Sequence, residues 1–374
     1  MKDKDLINQP ELRWMLAVLS NENPEHVDRG NVEKLVERAI GNGLGAVLYQ
    51  KIVDKRIECE PQLVARLKKA YFSNLVRNTN ISSVWNELKA ILEANQLQYI
   101  PLKGIYLSQY IYSDSTLRAM SDIDLLLHAD DADFLYFKML EKGAETSDAS
   151  YSTDSKKTDH HLPGITYKGV YIEIHRNIVP DDATYKIPVD LLWSSSIRQG
   201  DIRSIHPHLN LIYFCLHLFY TVKRGGVRLS WLYDFIIFSQ SAEFKNCKGD
   251  FMETLSRQGC KEPVLAVLFA SEKLFNYTFS FIDHSFKTKA ISAIERRVFY
   301  FLNSEGEGGT DYGYEIAFER LANTKGIRNK FRFIKERVYQ PDSSLSSSAK
   351  RIVLLVARTI GMLRQKISSR IKFK

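Results

Sequence analysis

The chain has 374 residues, 44% apolar and 26% charged, the composition of an ordinary globular protein with room for two or three domains. No apolar stretch approaches the ~20 residues of a membrane span, and the opening MKDKDLINQPEL lacks the apolar segment of a secretory signal, so the expected compartment is the cytoplasm. The net charge of +8 sits in one place: eight basic residues and no acid lie from Lys350 onward, and the other basic residues only balance the 44 acids.

Residues 1–78 read as an N-terminal helical region. Glu11–Leu19 and Val32–Tyr49 carry apolar residues at three-to-four spacing, the second interrupted by Gly41, Gly43 and Gly45, and Gln62–Asn78 continues the pattern. A core is expected over 79–190. Val84, Trp85, Leu88, Ile91 and Leu92 mark an amphipathic helix that feeds a buried strand at Gln98–Leu102. That strand ends in Lys103-Gly104, and Ile105–Tyr112 has helical spacing. After the polar turn Ser113–Thr116, Asp122–Leu127 reads as a second strand and Ala132–Lys142 as a helix closed by Gly143. Thr146–Asp159 is polar and reads as a surface loop. His160–Tyr167 and Gly169–His175 suggest a hairpin turning at Lys168-Gly169.

Residues 191–324 return to helices. Leu209–Val222 is apolar nearly all round and should be buried, with His217 a core histidine. Arg228–Phe238 follows, entered from Gly225-Gly226. Phe301–Tyr314 is a glycine-rich loop. Residues 325–374 form a basic region, with a linker at Pro341–Ser348 and a final amphipathic helix over Lys350–Lys374. That helix suits an anionic membrane surface, a partner protein or nucleic acid phosphates, or docks its apolar stripe on its own body.

The chemistry lies in the core. Side chains alternate along a strand, so Asp122 and Asp124 share a face, roughly 6–7 Å apart, with Ile123 and Leu125 opposite. Val170–His175 likewise puts Tyr171, Glu173 and His175 on one face. Acids on an otherwise apolar strand are costly to bury unless a cation offsets them. Two carboxylates on one strand and a third on its neighbour can hold two Mg²⁺ ions, with Mn²⁺ as the alternative. His175, two residues beyond Glu173, would steady such a ligand. Lys103-Gly104 opens a helix whose first amides favour phosphate, and Arg118 would pair with a phosphate or with the carboxylates. His160-His161 has no zinc spacing, and Cys59, Cys215, Cys247 and Cys260 lack C-x-x-C spacing and read as buried thiols.

Leu102-Lys-Gly104, Arg118, Asp122-Ile-Asp-Leu-Leu126 and Ile172-Glu-Ile-His175 resemble the nucleotidyltransferase superfamily with the DNA polymerase beta-like fold, in particular its uncharacterised bacterial branch. The likeness extends from about Asn31 to Phe238 and includes Leu216-His217 and Trp231-Leu-Tyr-Asp234. It implies an α+β fold, a small mixed sheet with helices, flanked by helical N- and C-terminal regions, the latter closing a nucleotide cleft where Arg228 would reach the triphosphate. It implies metal-dependent transfer of a nucleoside monophosphate from an NTP, ATP foremost, to an acceptor hydroxyl or phosphate, with Asp122, Asp124 and Glu173 catalytic and metal-binding and Lys103, Gly104, Arg118 and Arg228 nucleotide-binding. In the superfamily the first strand ends in Gly-Gly or Gly-Ser, whereas here Lys103-Gly104 is followed by Ile105. Two other readings stand beside it: a nucleotide-binding or partner-docking module without activity, and a D-x-D glycosyltransferase, a class that lacks the Lys-Gly helix and the third strand acid.

Overall fold

Prolines and glycines divide the first hundred residues into helices of unequal length. The computed structural model describes residues 7–22, 24, 32–148, 151–152, 160–180 and 183–303. Helices α1 (Pro10–Leu19), α2 (Val32–Gly41) and α3 (Gly45–Lys55) pack on one another. The single stretch expected over Val32–Tyr49 breaks into α2 and α3 where Gly43 takes φ +71°. Helix α4 (Pro61–Ala94) starts with proline in its first turn and runs 34 residues. The two helices expected over Gln62–Asn78 and Val84–Leu92 are therefore one. Thr79 and Ser82, the polar residues between them, bond back to the carbonyls of Leu75 and Asn78 and leave the helix continuous.

The sheet follows. Strand β1 (Tyr99–Leu102) leads into a single turn, α5 (Lys103–Tyr106), and a π-helical turn at Leu107–Ile111. Then come β2 (Asp122–Leu127), α6 (Ala129–Glu141), β3 (Glu145–Thr146), β4 (Ile165–Tyr167) and β5 (Val170–His175). The strand order is β1-β2-β5-β4-β3; β2 and β5 are parallel and the other pairs antiparallel, so the sheet is small and mixed. Lys168 and Gly169 turn the β4–β5 hairpin at φ +50° and +75°, the positive-φ pair whose twist matches the flanking strands. Ile123, Leu125, Ile172 and Ile174 are buried on one face of the central pair, and α4 and α6 pack against those two strands.

After α7 (Val189–Ser194), the helical expectation meets an exception. Strands β6 (Ile197–Gln199) and β7 (Ile202–Ser204) form a hairpin about Gly200, and β7 packs beside β1. Three-residue strands are too short to display an alternating pattern. Helices α8 (Pro207–Lys223), α9 (Leu229–Gln240), α10 (Ala242–Lys245), α11 (Phe251–Arg257), α12 (Lys261–Phe275) and α13 (Lys289–Asn303) complete the described chain. α8 is buried nearly all round, and α12 packs on α8, α9 and α13. Among the described residues no helix is long and apolar enough to cross a membrane. Phe301–Asn303 end α13 rather than start a loop. The rest of the expected glycine-rich loop, residues 325–337, the linker and the basic helix Lys350–Lys374 lie outside the described residues, as does most of the polar loop after Asp148.

Candidate active site

Two asparagines in the apolar stripe of α4 set the approach to β2. Asn78 Nδ2 donates to the carbonyls of Ser115 at 2.6 Å and Arg118 at 2.9 Å, and Asn74 Nδ2 reaches the Thr116 carbonyl at 3.4 Å. Tyr71 donates to Asp114 at 3.0 Å from the same helix. With its backbone held, Arg118 turns inward. Its Nε donates to both carboxylate oxygens of Asp234 on α9, each at 2.9 Å, and Tyr112 donates to Asp234 Oδ1 at 2.7 Å. Arg118 is 9% exposed and Asp234 3%. The partner of Arg118 is thus neither Asp122 nor Asp124 but a carboxylate more than a hundred residues away.

The acids meet through strand register. Asp124 stands opposite Glu173 across the parallel β2–β5 pair, and Asp122 opposite Tyr171. Lys103, just beyond β1, donates from Nζ to Asp124 Oδ1 at 2.7 Å and approaches Glu173 Oε2 at 3.8 Å. His175 Nε2 lies 2.8 Å from Asp124 Oδ1 and 3.4 Å from Glu173 Oε2. One ligand atom each from Asp124, Glu173 and His175 therefore falls within 4.8 Å of the others. The expected trio was Asp122, Asp124 and Glu173, with His175 behind it. The close trio instead contains His175. Asp122, at the start of β2, accepts from Ser121 at 3.2 Å outside that group.

Charge and burial set the protonation states. Burial opposes ionisation of Asp124, but Lys103 and His175 outweigh it and hold the carboxyl well below its usual range. Burial likewise works against the Lys103 ammonium, and Asp124 overrides it, so the amine stays charged. Asp122 is pushed up by burial and by the negative charge of Asp124. Burial pushes His160 down to about 3, helped by His161 and His175, and pushes His217 down to about 3, helped by Lys103. Both imidazoles are neutral at pH 7.

Lys103 adopts φ +44°, a left-handed conformation that costs a side-chain-bearing residue roughly 1 kcal/mol or more. The chain needs that conformation to leave β1 and enter α5 at once. Gly104 beside it is buried, and an added Cβ would meet only Met120 at 3.8 Å.

A cavity of about 410 Å³ opens above these groups, large enough for a nucleotide-sized ligand. Lys103, Gly104, Asp122, Asp124, Glu173 and His175 line one side, and His217, Tyr220, Arg224, Arg228 and Trp231 from α8 and the start of α9 line the other. Arg228 is exposed, with its guanidinium 5.5 Å from the Trp231 ring centroid. Arg224 escaped sequence reasoning, although a Lys-Arg pair ahead of Gly225-Gly226 marks a basic helix end. Asn74 and Asn78 escaped it too, although two polar residues four apart on an apolar helix face are the signal to look for.

The donor set suits a hard divalent cation. Asp124 and Glu173 offer carboxylate oxygens, which Mg²⁺ prefers, and the imidazole of His175 is one that Mn²⁺ also accepts. The Lys103 ammonium against both carboxylates marks where positive charge is demanded.

Neither a curated protein nor a solved structure matches the chain. A family model described as an uncharacterised nucleotidyltransferase matches residues 28–276, which takes in every residue lining the cavity. The chain therefore belongs to that uncharacterised nucleotidyltransferase family.

Proposed function

We infer that the protein moves a nucleoside monophosphate from an NTP, ATP foremost, to an acceptor hydroxyl or phosphate and releases pyrophosphate. The observation that carries this reading is the pairing of Asp124 with Glu173 in strand register on the wall of the cavity. In the transfer the acceptor oxygen attacks the α-phosphorus, and the bond to the bridging oxygen of the β-phosphate breaks. The electron pair leaves with pyrophosphate. Asp124 and Glu173 would hold a divalent cation, and Asp122 at the strand start would help hold a second; bound there, the ions would neutralise charge and acidify the acceptor.

The remaining work belongs to the chain. Glu173 is the more open of the paired acids, at 26% side-chain exposure against 2% for Asp124, and is the group placed to accept the acceptor proton. Lys103, Arg224 and Arg228 draw the polyphosphate into the cavity, and Gly104 lets it approach the backbone. Arg118 acts by holding the segment before Asp122 against Asp234. His175 orients Asp124 by its 2.8 Å contact.

One observation favours a second reading, a nucleotide-binding module without transfer. The Lys103 ammonium already neutralises Asp124 and Glu173 where a cation would sit. Pyrophosphate release separates the two readings. Each of the four NTPs would be supplied with Mg²⁺ or Mn²⁺ and α-labelled tracer. Fractions of a cell extract holding small molecules, RNA or protein would serve as acceptors. Transfer predicts release by the wild type, label in one fraction, and loss of both in Asp124→Asn with the fold intact. ATP binding with no release in any fraction would establish the binding module. An Asp124→Asn rate equal to wild type would sink the assignment.

A further inference from the structure

On a different part of the molecule, three side chains with metal-ligating atoms meet where the start of α8 lies beside the segment following α10. His206 is the residue before α8, Pro207 its first helical residue and His208 its second. Cys247 follows α10 by two residues. One ligand atom from each of the three lies within 4.8 Å of the others. Cys247 Sγ is 3.5 Å from His206 Nε2, and the two imidazole centroids are 5.4 Å apart. Zinc holds thiolate sulfur at about 2.3 Å and imidazole nitrogen at about 2.0–2.1 Å; at a tetrahedral angle such atoms stand about 3.6 Å apart. The same sulfur is 4.0 Å from His206 Nδ1, so it lies to the side of the ring, and a turn of the His206 ring would aim a nitrogen at a shared ion.

A hydrogen bond between thiol and imidazole would account for Cys247 and His206 alone. It leaves His208 unexplained. His208 is 4% exposed, and its Nδ1 has no hydrogen-bond partner among the described residues. Buried polar atoms are rarely left so, and an absent ion is one of the usual reasons. The backbone amide of His208 also hydrogen-bonds the Cys247 sulfur, which ties the start of α8 to the segment after α10.

We propose that His206, His208 and Cys247 bind one zinc ion, with the fourth position left to water on the half-exposed side of the cluster. The donor set separates this site from the cavity: one sulfur and two nitrogens select a borderline-soft ion, whereas the paired carboxylates select a hard one. Zinc there ties the segment after α10 to the start of the helix whose far half carries His217, Tyr220 and Arg224 into the cavity. This proposal is independent of the transfer reaction.

The full-length protein would be dialysed against Mg²⁺ buffer free of strong chelator and its metal measured by mass spectrometry. One zinc per chain is expected in the wild type and in Asp124→Asn, and at least tenfold less in Cys247→Ser and His206→Gln, both at half-buried positions. Exchange of zinc for Co²⁺ should give the visible bands of a four-coordinate ion and a near-ultraviolet thiolate-to-cobalt charge-transfer band, the latter lost in Cys247→Ser. The wild-type cobalt spectrum decides even where a variant folds poorly: absence of the charge-transfer band overturns the site. Full zinc retention by both variants overturns it as well, and zinc lost in Asp124→Asn instead would assign the ion to the cavity.

Discussion

Lys103 combines a strained backbone with a half-buried charge against a buried one: it sits at φ +44° and lays its ammonium between the buried Asp124 and Glu173. Removing one partner of a buried ion pair costs about 3–5 kcal/mol because the other is left uncompensated. Lys103→Met in chelator should lower the unfolding free energy from urea melts by that amount. Added Mg²⁺ should then recover more stability in the variant than in the wild type, since the ion takes the place of the ammonium. Equal recovery in both proteins would mean that Asp124 and Glu173 do not take the ion. Arg228 is exposed and lies on the face of Trp231. A hydrogen bond to a charged group contributes roughly 1.5–3 kcal/mol. Arg228→Ala should raise the KM for the NTP at least tenfold with kcat nearly unchanged, and a fall in kcat alone would place Arg228 away from ground-state binding. The acids on β2 and β5 were legible in sequence because strand periodicity is local. The destination of the Lys103 side chain was not, because a four-carbon stem reaches whichever carboxylate the fold brings near.

Between elements, the buried Arg118–Asp234 pair joins the segment before β2 to α9. Asp234→Leu should cost about 3–5 kcal/mol by leaving the guanidinium buried and unpaired, and Arg118→Met/Asp234→Leu should recover most of it. Urea melts of the two single variants and the double variant would measure the coupling, and additive losses would mean that the two residues act separately. A second join is made at the start of α9, where the Asn42 side chain accepts from the Leu229 amide at 3.0 Å and its carbonyl from the Ser230 amide at 3.3 Å. Asn42→Ala should cost about 1 kcal/mol, as loss of a helix cap does, although the cap comes from the turn after α2. The positions of most elements were legible, since each rests on its own periodicity and punctuation. The fusion of two expected helices into α4 was hidden by Thr79, Asn80 and Ser82, whose weak helix preference is overridden by packing on both sides. The β6–β7 hairpin was hidden by its shortness.

Across the whole molecule, the cavity lies where the acid-bearing face of the sheet meets α8 and the start of α9. A ligand that binds only this folded arrangement stabilises it by mass action, by about 2.7 kcal/mol at a hundred times its Kd. ATP with Mg²⁺ at that ratio should raise the wild-type midpoint accordingly and leave Asp124→Asn close to its unliganded value; no shift in the wild type would remove ATP as the substrate. By itself the sequence determined the two acidic strands, the hairpin that returns the third acid, the apolar helix behind the cavity and the likeness to nucleotidyltransferases. Each of these is written in residues close together in the chain, where alternation, helical spacing and turn chemistry act. Only the tertiary structure decided that His175 joins Asp124 and Glu173, that Arg118 spends its charge on Asp234, and that two histidines and a cysteine from separate elements converge. Those outcomes depend on strand register and on which helix covers which face, and distances between remote segments are set by packing of the whole core, which no local pattern encodes.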